Sequence, residues 1–150
     1  VRVHTAWLRA VIESIPGALN GGPDGGLSQV FETKAEYESP YQQAKLTYPY
    51  WVIHPADGTD TTDRFNGPKL IQHPRFTVWT VGEDADQAAD AAEKVKALLV
   101  VGGRGVIPTI EGEISYQIRY SVPLPIQSDK NATPPICYHV AEIGFDSELI

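Results

Sequence analysis

His54 and His73 bracket the stretch HPADGTDTTDRFNGPKLIQHPRF, which also holds Asp57, Asp60 and Asp63. Imidazole with carboxylate is the donor set of a metal centre or of an acid–base pair. The two histidines stand on what read as flanking strands, so a hairpin would bring them face to face, and one aspartate would complete a three-ligand set. The aspartates, however, fall three apart. A helix–loop–helix calcium site needs ligands at alternate positions, a glycine at the sixth and a glutamate at the twelfth, and this stretch has no such pattern. Acid–base work needs a nucleophile and a pocket, and neither a GxSxG turn, a cysteine–histidine pair nor paired glutamates supplies them. Each histidine also precedes a proline at a strand boundary, where a polar ring commonly serves a turn or the surface. The expectation is therefore no catalytic residue, no metal ligand and no cofactor. Asp, Thr, Gly and Asn have a simpler use in local turns, while Arg64 and Phe65 are of types enriched at interfaces. A connection from about 57 to 73 is longer than the ~12–15 residues beyond which structureless loops are usually functional or disordered. It reads as a loop with a task.

The elements around it follow from periodicity. From Thr5 to Ile15, Trp7, Val11 and Ile15 recur at helical spacing with Leu8 and Ile12 beside them, and Pro16-Gly17 stops the helix. Residues 17–28 hold Gly17, Gly21, Gly22, Gly25 and Gly26 around Pro23. With no preceding strand, no Gly-Lys-Ser/Thr and no GxGxxG spacing, this is a connector and not a phosphate cradle. Aromatic and β-branched residues crowd into a strand over about Tyr48 to His54. RFTVWTVG, Arg75 to Gly82, is a second strand, with Phe76 and Val78 on one face and Trp79 and Val81 on the other. A strand apolar on both faces needs cover on both. A helix of the same chain and a neighbouring subunit would provide it.

Asp84 with Gln87 reads as a capping box, and Ala85, Ala88, Ala92, Val95 and Leu99 form one stripe of a helix ended by Gly102-Gly103. Its other face, Asp86, Asp90, Glu93, Lys94 and Lys96, runs from acid to base in the order that suits the helix dipole and reads as solvated. YQIRYSVPLPI alternates as a half-buried strand with Pro123 and Pro125 marking an edge or exit, and a last strand runs from about Ile136 to Phe145. The expected fold is α+β: a mainly antiparallel four-stranded sheet with helices packed on one face, in the order helix-strand-strand-helix-strand-strand.

The 150 residues suit a single domain, 1–150, able to bury roughly two thirds of its unfolded surface. Nineteen acidic against twelve basic side chains give a formal charge of -7, and no window gathers Lys and Arg into a stripe. Tight nucleic-acid binding is disfavoured. Cys137 is the only cysteine, so the chain has no disulfide framework and no multi-thiolate zinc site. Arg9 and Glu13 interrupt the apolar start, which lacks signal-peptide or membrane-spanning character, and the cytosol is the expected compartment of synthesis.

Taken in order, YPYWVIHPADGTDTTDRFNGP, QHPRFTVWTVG, the alanine- and acid-rich helix, GRGVIPTIEG and TPPICYHVAEIGF resemble the tail terminator proteins of long-tailed, siphovirus-type phages of actinobacteria. The resemblance covers about Tyr48 to Phe145. It implies a structural protein without enzymatic activity. Subunits would form a sixfold ring on the head-proximal end of the tail tube, stop its polymerisation and offer a docking surface to the head-completion complex. The partners it implies are further copies of the chain, the tail tube protein and the connector proteins, with DNA passing through without specific binding and no membrane involved. The location it implies is the neck of the virion, after assembly in the host cytoplasm. Asp60, Asp63, Arg64, Phe65 and Trp79 are then the expected contacts with a neighbouring subunit or the tube. A head-closure or adaptor protein of the neck is the nearer alternative, and a metal- or ligand-binding enzyme domain using His54 and His73 the more distant one.

Overall fold

The computed structural model describes residues 2–15, 19–20, 27–32, 49–56, 61–62, 70–130 and 136–150. They form α1 (Arg2–Glu13), the paired stubs β1 (Leu19–Asn20) and β2 (Leu27–Ser28), then β3 (Val30–Glu32), β4 (Tyr50–Ala56), β5 (Thr61–Thr62), β6 (Leu70–Gln72) and β7 (Arg75–Gly82). Helix α2 (Ala85–Leu99) follows, and after it β8 (Val100–Val101), β9 (Arg104–Gly105), β10 (Glu113–Ser115), β11 (Arg119–Ser121), β12 (Gln127–Asp129), β13 (Ile136–Gly144) and β14 (Ser147–Leu149).

The class is α+β, but the expected four-stranded antiparallel sheet is a six-stranded mixed one. Its path is β3-β4-β7-β13, and the outer edge of β13 is shared between β11 and β12. The pairing of β3 with β4 is parallel and the others are antiparallel. A three-residue strand carries too short an alternation to stand out in sequence. Further strands therefore stand between the elements of the expected order. Four of them make a second, antiparallel sheet, β10-β14-β6-β5.

Side chains alternate across a sheet, and here the alternation sends Val30, Trp51, Ile53, Phe76, Val78 and Ile143 to one face. There they pack with Leu8, Ile12 and Ile15, and with Ala91, Val95 and Leu99 of α2, in one buried core. Burying each large apolar side chain fully is worth about 1.5–3 kcal/mol. Helix α2 lies on β7 and β13, and α1 on α2, β3 and β4. Both helices thus cover the same face.

Asp84 caps α2 as expected, its Oδ1 accepting from the Gln87 amide at 2.7 Å, but the return bond of the expected capping box is shifted by one residue: Gln87 Oε1 accepts from the Glu83 amide at 2.7 Å and not from that of Asp84. The helix enters so close to the sheet that a Cβ on Gly82 would lie 2.7 Å from the Ala88 nitrogen. Its end differs from expectation. Val100 is already extended, and Gly102 and Gly103, at φ 63 and 78, turn β8 back into β9. Two β-branched valines favour strand over a last helical turn.

The strand expected from Tyr116 to Leu124 is also shorter. Only Arg119–Ser121 pairs regularly, with Ile118 buried, whereas Tyr116 turns out to Glu148, and Val122 and Leu124 are exposed beside Pro123 and Pro125. The long connection contains β5 and β6 of the second sheet, and residues 57–60 and 63–69 lie outside the described residues. In the glycine-rich connector β1 pairs with β2, and residues 16–18 and 21–26 lie outside them too.

The two sheets share strands. β6 runs on into β7 through His73-Pro74, and β13 into β14 through Phe145-Asp146, so a pair of strands turns from one sheet into the other at one corner. There the Phe145 amide donates to the Pro74 carbonyl at 3.3 Å and the Tyr116 amide to the Asp146 carbonyl at 2.9 Å. The ring of Phe145, wholly buried, meets those of His4, Trp7 and Phe76.

Candidate functional site

The face of the central sheet opposite the helices is of two kinds. Phe31, Tyr50, Val52 and Val81 form a small buried cluster, with Ile136 and Tyr138 against it. Beside them the face opens. Trp79, 37% exposed, stacks flat on Tyr138 with ring centroids 4.9 Å apart and 7° between planes, and its other neighbour is the His54 ring at 5.3 Å. Three strands thus each contribute one ring to a ladder, with the geometry that aromatic pairs favour.

Next to the ladder lies a concavity of about 480 Å³, lined by Ala56, Arg75, Thr77, Arg119, Ser121 and Glu142 among others. Gly144 shapes its floor: a Cβ there would lie 2.5 Å from an Arg75 Nη, so the absence of a side chain lets the arginine lie across β13. The period-two alternation of RFTVWTVG places Arg75 and Thr77 with Trp79, and that signal could have identified them from sequence. Tyr138, Arg119, Ser121 and Glu142 come from strands far along the chain, and only the pairing registers bring them here.

Of the expected contact residues, Trp79 lies on this open face. Asp60, Asp63, Arg64 and Phe65 lie outside the described residues.

The histidines go to separate places. His54 does not face His73 across a hairpin: its partner in the register is Thr77, and its ring meets Trp79. His73 Nδ1 is 2.7 Å from Asp146 Oδ1. His4, 2% exposed, has Nε2 3.0 Å from Glu113 Oε2, joining α1 to β10. Burial pushes the His139 ring down from the usual histidine value, which favours its neutral form. Among the described residues no group of three His, Cys, Asp or Glu side chains is placed to hold a metal ion.

Asp146 is the charged pin of the corner. Arg119 donates to both its carboxylate oxygens, at 3.3 and 3.1 Å, and shares Oδ1 with His73. The Arg119 guanidinium first, and the His73 ring second, hold its carboxyl down to about 2. A depressed carboxyl contributes its full stability above the unfolded value near 3.9 and loses it as pH falls toward 2. The side chain is 33% exposed, so solvent screening reduces the contribution to about 1 kcal/mol. Urea denaturation of Asp146→Asn should therefore show a deficit of about that size at pH 6 that narrows by pH 3. A deficit equal at the two values would remove the ionic pin.

No family model matches the sequence, and no curated protein matches it. A chain in a solved structure, "Virion of native gene transfer agent (GTA) particle", superposes with a TM-score of 0.55 at 17% identity, over 98% of this chain and 90% of that one. The fold is shared. At that identity the likeness concerns the arrangement of helices and sheets, and it extends over nearly the whole of both chains.

Proposed function

We propose that this chain is a structural protein of a phage-type particle, and within it the tail terminator. The observation that carries the reading is the end-to-end likeness of fold to a chain of a gene transfer agent virion. The run of phrases from Tyr48 to Phe145 that resembles actinophage tail terminators adds the finer assignment. In this role copies of the chain form a sixfold ring in the neck, cap the tail tube, and present a surface to the head-completion proteins. The work is done by contacts, with no reaction and no cofactor. Asp60, Asp63, Arg64, Phe65 and Trp79 belong to those contacts in this reading. The formal charge of -7 suits a ring through which a genome slides, because carboxylates repel the phosphate backbone.

A phage carrying an early nonsense codon in this gene tests the assignment by electron microscopy of its lysates. Overlong, headless tubes beside filled heads are the expected result. Complete tails of normal length lying unattached would instead assign the chain to head closure, and ordinary virions would remove it from assembly.

A further inference from the structure

The central sheet divides the molecule into two sides that differ in chemistry. One side is the open face, where Trp79 is already stacked on Tyr138 with the His54 ring tilted against it, and Arg75 lies across Gly144. Tryptophan, tyrosine and arginine are the types that dominate interface energetics, and rings ordered in advance lose little freedom on docking. Arg75 is exposed and makes no ion pair among the described residues.

The other side is the outer surface of α2, because that helix packs on the sheet through Ala88, Ala91, Ala92, Val95 and Leu99 and turns its remaining residues away. Its beginning is acidic. Glu83, just ahead of the helix, and Asp86 in its first turn are exposed and, like Arg75, make no ion pair among the described residues, while Asp90 further along is shared with Lys94 at 3.2 Å. Among the described residues the open face thus carries Arg75, with Glu142 nearby on β13, whereas the start of α2 carries the exposed carboxylates Glu83 and Asp86, with Glu93 and Lys96 further along. Two different, complementary surfaces on opposite sides of a subunit are what a head-to-tail association uses, and such an association closes into a ring when its rotation divides a full turn.

We propose that the open face of one copy binds the outer surface of α2 of the next copy, with Trp79 as the central anchor and Arg75 against Glu83 and Asp86. The proposal rests on the ring reading above and names the surfaces that build the ring. Opposite charges steer the encounter and suppress wrong registers, while the stacked rings supply the apolar area.

The test is complementation of the nonsense phage with plasmid-borne variants, scored by titre and by tail length, beside thermal melting of each purified variant. Arg75→Glu and Trp79→Ala should each lower the titre at least tenfold and give overlong tails. Arg75→Glu alters an exposed side chain without an ion pair among the described residues, so it should melt like the parent, and it keeps the test open if Trp79→Ala folds poorly. Combining Arg75→Glu with Glu83→Arg and Asp86→Arg in the same chain should restore titre to within about threefold of the parent. Full complementation by both single variants would overturn the proposal and leave the terminator reading standing. Loss of function in the single variants without rescue by the α2 reversal would assign the open face to the tube or a connector protein and also overturn it. Normal tails in the uncomplemented nonsense phage would instead overturn the terminator reading itself.

Discussion

Replacing Phe145 with alanine lowers the unfolding free energy by about 3–5 kcal/mol, read as a fall in the urea midpoint at constant slope. The ring is wholly buried where both sheets and α1 meet. Its edge-on contacts with His4 and Trp7, at 5.6 and 6.0 Å, and its stacking on Phe76 at 6.4 Å tie α1 and β7 to one side chain. Alanine leaves a void that the corner cannot close, because the backbone on either side is fixed by the Phe145 bond to Pro74 and the Tyr116 bond to Asp146. A loss below about 1 kcal/mol would mean that the corner relaxes freely and that its rigidity resides elsewhere.

Replacing Glu113 with alanine costs about 3 kcal/mol, because it removes the carboxylate from a histidine ring that is itself 2% exposed. The carboxylate side chain is 7% exposed, so both groups were desolvated to make the contact. Substituting leucine at both His4 and Glu113 should cost clearly less than the sum of the two single changes, since no uncompensated polar group is then left inside. Strict additivity of the two would show that the pair is not energetically coupled. A hydrophobic replacement that stabilises the fold would also say something about specificity. The pair fixes which end of α1 meets β10, and an apolar contact fixes it less sharply.

Local pattern made a large part of this fold legible. The strand over Arg75 to Gly82, the last long strand and the capping of α2 are determined by residues within a turn or two of each other, and alternation or a side-chain cap reveals them directly. What stayed hidden depends on partners distant in sequence. Val30 and Phe31 become a strand only because Trp51 and Val52 lie beside them in parallel, and β14 exists because β10 and β6 flank it. The shortened β11 shows the opposite failure: the alternation continues through Val122 and Leu124, but two prolines cannot donate to a ladder and the chain leaves the sheet.

The open face was half legible for the same reason. The alternation of β7 gives Trp79 and, with it, Arg75 and Thr77, whereas the flat stack on Tyr138 needs the register of Val81 opposite that tyrosine. The histidine pair that first suggests chemistry is dissolved by that kind of register information. His54 falls level with Thr77, and His73 is drawn to an aspartate half the chain away.

The two short strands that share the edge of β13 have a consequence for how copies of this chain can meet. Between β11 and β12 the segment Val122 to Ile126 leaves the ladder, and two of its residues have no amide hydrogen to offer. An incoming strand would find two three-residue pieces separated by an apolar bow, too broken to template a continuous β-augmentation. That border is guarded against endless strand-to-strand polymerisation, the hazard a sheet edge carries wherever many copies of a chain are gathered at one place.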